Sequence, residues 1–143
     1  MKTKIREDLK TSMKAKDKLR TNTLRMLLSA IQTAETEGTK HEASDEDILK
    51  VIAREIKKRK ESAEVYAQND RQDLADNELA EAEILQDYQP QQLTDDELDA
   101  LVKQVIADLG EGAQMGPVMQ AATKAAAGRV DGKRLSTAVR AAL

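Results

Sequence analysis

Apolar residues recur at three- and four-residue steps along almost the whole chain, and nowhere do they alternate with polar ones over the length of a strand. That period belongs to the α-helix, so the chain is predicted to be all-α. Ile5, Leu9 and Met13 mark a first short helix. A second runs from about Asp17 to Glu37, with an inward stripe of Leu19, Thr23, Met26, Leu27, Ala30, Ile31 and Ala34. Leu24 and Leu28 add a second apolar row, which predicts a central helix covered on two sides. Gly38 ends it. Ser44 followed by Asp45, Glu46 and Asp47 is a helix start, a hydroxyl cap with acids in the first turn. The third helix carries Ile48, Ile52, Ile56 and Ala63 on one face, to about Gln68. Asn69-Asp70 breaks the pattern, and a fourth helix from about Arg71 to Tyr88 uses Leu74, Ala75, Leu79, Ala82, Leu85 and Tyr88.

The best boundary is Gln89-Pro90-Gln91-Gln92, because Pro90 pushes Gln89 out of helical geometry. Thr94 and Glu97 then read as a capping box. Leu98, Leu101, Val102, Val105, Ile106 and Leu109 make a fifth helix, ended by Gly110. Two Ala-rich helices follow, about Gly116 to Ala127 and Lys133 to Leu143. Gly116-Pro117 opens the first, and Gly128-Arg129-Val130-Asp131-Gly132-Lys133 connects them, with Gly128 and Gly132 assigned to the turn. The expected architecture is an N-terminal four-helix bundle over residues 1–90 and a small three-helix C-terminal module over residues 91–143.

Two tyrosines, Tyr66 and Tyr88, are the only aromatic residues, so the core must be built from Leu, Ile, Val, Met and Ala. The same scarcity removes the stacking platforms on which single-stranded nucleic acids are held. There is no Cys, hence no disulfide, thiolate nucleophile or thiolate metal site. His41, the single histidine, sits in a polar loop and reads as a solvated side chain. Glu81 and Glu83 are the ordinary yield of a dense acidic helix. Met115 and Met119 fill gaps between small residues. No nucleophile elbow or Lys-bearing phosphate loop is present, so no catalytic residue, metal or cofactor is expected. No apolar run is long enough for a membrane span, and no signal-peptide pattern opens the chain. The expectation is a soluble cytoplasmic protein.

The net charge of −3 hides a polarised chain. Residues 1–60 hold 16 Lys and Arg against 10 Asp and Glu, whereas residues 61–93 hold 1 against 9. Lys2, Arg6, Lys10, Lys14 and Lys18 fall at steps of four along the first helix. Lys50, Arg54, Lys57 and Lys58 line one face of the third, and Arg59 and Lys60 extend the cluster. Two such ridges suit a phosphate backbone, which Lys and Arg neutralise without reading sequence. They equally suit solvated faces carrying intrahelical pairs such as Asp47 with Lys50 or Glu55 with Arg59. The C-terminal module adds Lys124, Arg129, Lys133, Arg134 and Arg140, of which Arg129, Lys133 and Arg134 flank the glycine-rich turn, near a helix N-terminus that offers amides to an anion. Lys133 and Arg134 are also readable as plain surface residues.

Several of these segments together resemble the GatB/YqeY family. They are Asp8-Leu9-Lys10, Met13 to Asp17, Thr23 to Ile31, Ile56 to Ser62 with Tyr66, Arg71 with Asp73-Leu74-Ala75, Tyr88 to Pro90 with Gln92-Leu93, Gly116 to Met119, and Gly128 to Lys133. Ala126-Ala127 departs from a more basic approach to Gly128, and Gln89 from an apolar residue after Tyr88. The resemblance extends over essentially the whole chain and is to the free-standing members. The last third resembles the tail of the glutamyl/aspartyl-tRNA amidotransferase B subunit. It implies a two-part helical fold and association with tRNA. The family's carbon–nitrogen ligase label, with glutamine as amido-N-donor, belongs to the whole amidotransferase, whose catalytic cradle domain this chain lacks.

The functional expectation is a non-catalytic accessory protein that binds structured RNA, chiefly tRNA, and is linked to tRNA-dependent amidation or aminoacylation, with no DNA or membrane partner. The alternative is a protein-interaction module whose acidic segment docks an aminoacyl-tRNA synthetase, an amidotransferase subunit or a ribosomal partner.

Overall fold

The computed structural model describes residues 1–143 and contains seven α-helices and no strand. The helices are α1 (Lys2–Lys14), α2 (Lys18–Thr36), α3 (Asp45–Gln68), α4 (Gln72–Gln86), α5 (Asp95–Leu109), α6 (Met115–Ala126) and α7 (Gly132–Ala142). They fall into two compact units, Met1–Gln89 with α1–α4 and Pro90–Leu143 with α5–α7.

The helix starts follow from the sequence locally. The Asp17 carboxylate accepts from the Arg20 amide, and Ser44 with Asp47 and Thr94 with Glu97 form reciprocal capping boxes. These bonds hold the Asp47 and Glu97 carboxyls below their usual range, the backbone amide at the cap contributing most.

In the N-terminal unit, α2 packs against each of the other three helices, and α3 packs closely on α4. Ile5, Leu24, Leu27, Ile31, Ile48, Ile52 and Leu85 are essentially inaccessible. Ala63, Ala75 and Ala82 are buried as well, and such small side chains let helices approach without aromatic filler. Ser12 and Thr23 are buried hydroxyls satisfied within their own helices. Ser12 donates to the Asp8 carbonyl at 2.6 Å and Thr23 to the Leu19 carbonyl at 2.8 Å.

Four residues expected on apolar helix faces lie outside. Met26 is 51% exposed, Met13 49%, Leu109 45% and Leu79 43%. The buried face of α2 centres on Leu24, Leu27 and Ile31, so the row taken as secondary supplies its deepest residue and Met26 falls to the margin. Met13 lies in the last turn of α1.

Lys2 Nζ reaches Glu35 at 2.5 Å, and the Ala43 amide donates to the same carboxylate at 2.8 Å. The Lys2 bond first, then the Ala43 amide, hold the Glu35 carboxyl below its usual value of 4.5. A carboxyl depressed by folding contributes stability that is complete above its unfolded pKa and disappears as pH falls through the folded one. Glu35→Gln is therefore expected to flatten the acid limb of the stability profile from about pH 4.5 downward, read from urea midpoints across that range.

In the C-terminal unit each of α5, α6 and α7 packs on the other two around Leu98, Val102, Val118, Ala122, Leu135 and Val139. Leu93 joins this core, and its amide donates to the Arg129 carbonyl at 2.8 Å. α6 ends in a left-handed residue, Ala127, at φ 48° and ψ 47°, followed by Gly128 at φ 81°. An alanine there carries a steric cost that glycine lacks. Ala127→Gly is expected to stabilise the C-terminal unit by about 0.5–1 kcal/mol, visible as a higher urea midpoint.

Candidate nucleic-acid interface

The basic row of α1 is divided by its surroundings. Lys2 is spent on Glu35, and Lys4 pairs with Asp8 at 3.6 Å. Arg6, Lys10 and Lys14 are exposed, with no carboxylate in ion-pair reach; Lys18, expected to continue their row, instead opens α2 beyond the turn at Lys16 (φ 57°), and is exposed and unpaired there. On α3, Lys50 sits 3.8 Å from Glu46 rather than beside Asp47, both ends in solvent. Arg54, Lys57, Lys58 and Lys60 are exposed and unpaired. Arg54 also lines, with Ala30, Ala34 and Glu37, an open cleft between α2 and α3.

Arg59 does not belong to this ridge. It is 4% exposed, with Nη1 donating to Glu55 at 2.9 Å and Nε to Glu81 at 3.1 Å. The assignment of Arg59 to phosphate contact is thereby corrected. The reason is helical phase: Ile52, Ile56, Arg59 and Ala63 follow one another at four, three and four residues, so Arg59 lies on the buried stripe. The alternative pairing of Glu55 with Arg59 is the one observed. Glu81 has a structural task as the second carboxylate of this cluster. Burial, and then the Glu81 charge, push the Glu78 carboxyl above its usual range.

The glycine-rich turn is likewise occupied by the protein itself. Asp131 caps α7 by accepting from the Arg134 amide at 2.7 Å, so a carboxylate already holds the place proposed for an external anion. Arg134 Nη2 donates to the Leu93 carbonyl at 3.0 Å and to Asp95 at 2.9 Å. Arg129 Nε donates to the Gln91 carbonyl at 2.8 Å. Both arginines thus clamp the segment before α5 onto the α6–α7 turn, because the carbonyls of an irregular segment need donors. Lys124 and Lys133 remain exposed and unpaired.

Of the turn residues, Gly128 has the positive φ that favours glycine. Gly116 and Gly132 do not: each lies in the first turn of its helix, and an added Cβ would meet nothing within 4 Å. Gly116 thus opens α6 with Pro117 as expected, whereas the assignment of Gly132 to the turn is corrected, since it is the first residue of α7. Pro117 stands in the first turn of α6, where its missing N–H costs no helical bond.

A feature that the sequence reading missed joins α1 to the end of α4. The Tyr88 hydroxyl donates to Asp8 at 2.5 Å beside an open cleft of about 480 Å³. Burial, followed by that bond, raises the phenol's pKa and keeps it a donor. Arg20 pairs with Asp87 at 3.6 Å at the same cleft, so its charges largely neutralise one another. Nothing local signals the Tyr88–Asp8 contact, which spans 80 residues. His41 is exposed, with Nδ1 2.8 Å from the Thr39 carbonyl and Nε2 3.9 Å from Asp47.

The comparison with known proteins bears on the whole chain. The family model described as Yqey-like protein matches residues 2–143. The chain is 35% identical over 133 residues to "Altered inheritance of mitochondria protein 41, mitochondrial" of Kluyveromyces lactis, covering 92% of this chain and 69% of that protein. It is 34% identical over 107 residues to the protein of the same name in Lachancea thermotolerans, covering 73% of this chain and 57% of that protein. For the namesake in Vanderwaltozyma polyspora the identity is 32% over 114 residues, covering 75% of this chain and 59% of that protein. The chain therefore spans a little under two thirds of the length of the latter two.

These names overturn the cytoplasmic expectation, since they point to mitochondria. That expectation rested on lacking an apolar span and a secretory signal. Mitochondrial leaders are amphipathic and Arg-rich, so neither observation tests for one. The helical fold, its capped segments and the match over residues 2–143 place this chain in the Yqey-like protein family.

Proposed function

We propose that this protein is a non-catalytic accessory factor that binds folded RNA, with tRNA as the chief partner, through backbone and shape. The observation that carries this reading is the set of exposed, unpaired cations Arg54, Lys57, Lys58 and Lys60 on α3. Arg6, Lys10 and Lys14 on α1, Lys18 at the start of α2, and Lys124 and Lys133 in the C-terminal unit add to it. The scarcity of aromatic residues favours a duplex-like, phosphate-displaying partner over a single strand. The N-terminal unit acts as a four-helix bundle domain and the C-terminal unit as a three-helix domain, each offering its own basic face. The proposed link to tRNA-dependent amidation or aminoacylation is supported by the family resemblance alone.

The test is binding of the purified protein to total tRNA over a salt series, with duplex DNA as control. Tight, tRNA-preferring binding that weakens as salt rises is expected. Lys57→Gln or Lys58→Gln should weaken binding similarly across tRNA species and flatten the log–log salt slope by about one unit each. Arg59 is excluded from this set because it is buried. Absence of binding at low salt would make the ridges ordinary solvated faces.

A second reading is favoured by the acidity of α4 and its approach. Residues 61–93 hold 9 acids against 1 base, and Asp73, Asp76, Glu83 and Asp87 are exposed. Such a face suits a basic protein partner, for example a synthetase, an amidotransferase subunit or a ribosomal protein. A complex that survives nuclease treatment would support it.

A further inference from the structure

The buried Arg59 leaves one of its donor groups poorly served. Nε donates to Glu81, and Nη1 donates to both the side chain and the carbonyl of Glu55. Nη2 reaches only the Met26 sulfur, at 3.7 Å. A thioether is a weak acceptor, so a charged donor inside the fold faces a poor partner. The sulfur belongs to a side chain that is itself half-exposed, which opens it to dissolved oxidants. Met13 provides an internal comparison. Its sulfur lies 3.8 Å from Arg25 Nη2, and it is similarly exposed, but Arg25 is exposed too and water serves its guanidinium.

We propose that Met26 is an oxidative modification site whose sulfoxide is held by Arg59. A hydroperoxide is the oxidant. With hydrogen peroxide, the sulfur lone pair attacks one peroxide oxygen, and the S–O bond forms as the O–O bond breaks. The sulfur gives up two electrons, and the transferred oxygen passes its proton to the departing hydroxide, which leaves as water. The sulfoxide oxygen is a strong acceptor placed beside Arg59 Nη2, and a charge-assisted hydrogen bond replaces a weak one. Methionine oxidation ordinarily disrupts packing because it makes an apolar side chain polar. At Met26 the new oxygen completes a buried ion cluster instead. Reduction by a dithiol reverses the change, with the oxygen leaving as water and the two thiols closing to a disulfide.

The test treats the intact chain with hydrogen peroxide and follows each methionine by peptide mass spectrometry, urea midpoint and the NMR signals of the arginine guanidinium groups. Met13 and Met26 should oxidise ahead of the half-buried Met115 and Met119. In a Met13→Leu protein, oxidation of Met26 should hold or raise the midpoint and shift the Arg59 guanidinium signals. In a Met26→Leu protein, oxidation of Met13 should leave the Arg59 signals in place. Met26→Gln, which supplies a fixed oxygen, should show a higher midpoint than Met26→Leu. The proposal fails if Met26 oxidises no faster than Met119, or if its oxidation lowers the midpoint or leaves the Arg59 signals unmoved.

Discussion

Arg59→Ala is expected to destabilise the N-terminal unit by about 3–5 kcal/mol, the largest effect of any single substitution considered for this chain. Arg59 is 4% exposed and is the shared partner of Glu55 and Glu81, which are themselves largely shielded. Its removal leaves two carboxylates facing each other with no cation between them and little water to solvate them. Burial and the Glu81 charge already work against ionisation of Glu78 in the same neighbourhood. Urea unfolding at neutral pH measures the loss. Arg59→Lys should recover only part of it, because one ammonium cannot reproduce a fork that serves two carboxylates at once. If the cost comes from stranded charge, Arg59→Met combined with Glu55→Gln and Glu81→Gln should recover most of the stability. A loss below about 1 kcal/mol for Arg59→Ala would instead class the cluster with surface ion pairs.

Leu24→Ala is expected to cost about 2–5 kcal/mol, through lost transfer energy and the cavity left behind. Leu24 has no accessible surface and sits on the helix that packs against α1, α3 and α4. The void would open where several helices meet and can collapse only partly. Met13→Ala on the half-exposed end of α1 is expected to cost less than about 1 kcal/mol. Equal losses at the two positions would contradict the packing described for α2.

The helices were legible in the sequence because their determinants are local. Seven segments are expected and seven are present, with Ser44, Thr94 and Asp17 at the caps and Gly110 at φ 85° ending α5. The aliphatic core was legible for the same reason, since Ile48, Ile52 and Ile56 repeat at the period that buries one face. The basic character of α1 and α3 was also visible, although which of their cations are free was not. Lys57 and Lys58 are indistinguishable from Arg59 in composition, but they differ in phase. The stripe through Ile52, Ile56 and Ala63 was the signal that would have separated them.

Arg129 and Arg134 show the opposite case. Their partners, the Gln91 and Leu93 carbonyls and Asp95, lie about 40 residues away, and no local pattern announces them. The same holds for Tyr88 with Asp8. The sequence by itself determined where helices begin and end, which residues are apolar enough to form a core, and how charge is distributed along the chain. All three depend on neighbours within a few residues. The tertiary structure alone decided which charges remain available to a partner. That depends on which carboxylates and carbonyls the packed helices bring within hydrogen-bond reach, and on how much water they exclude there.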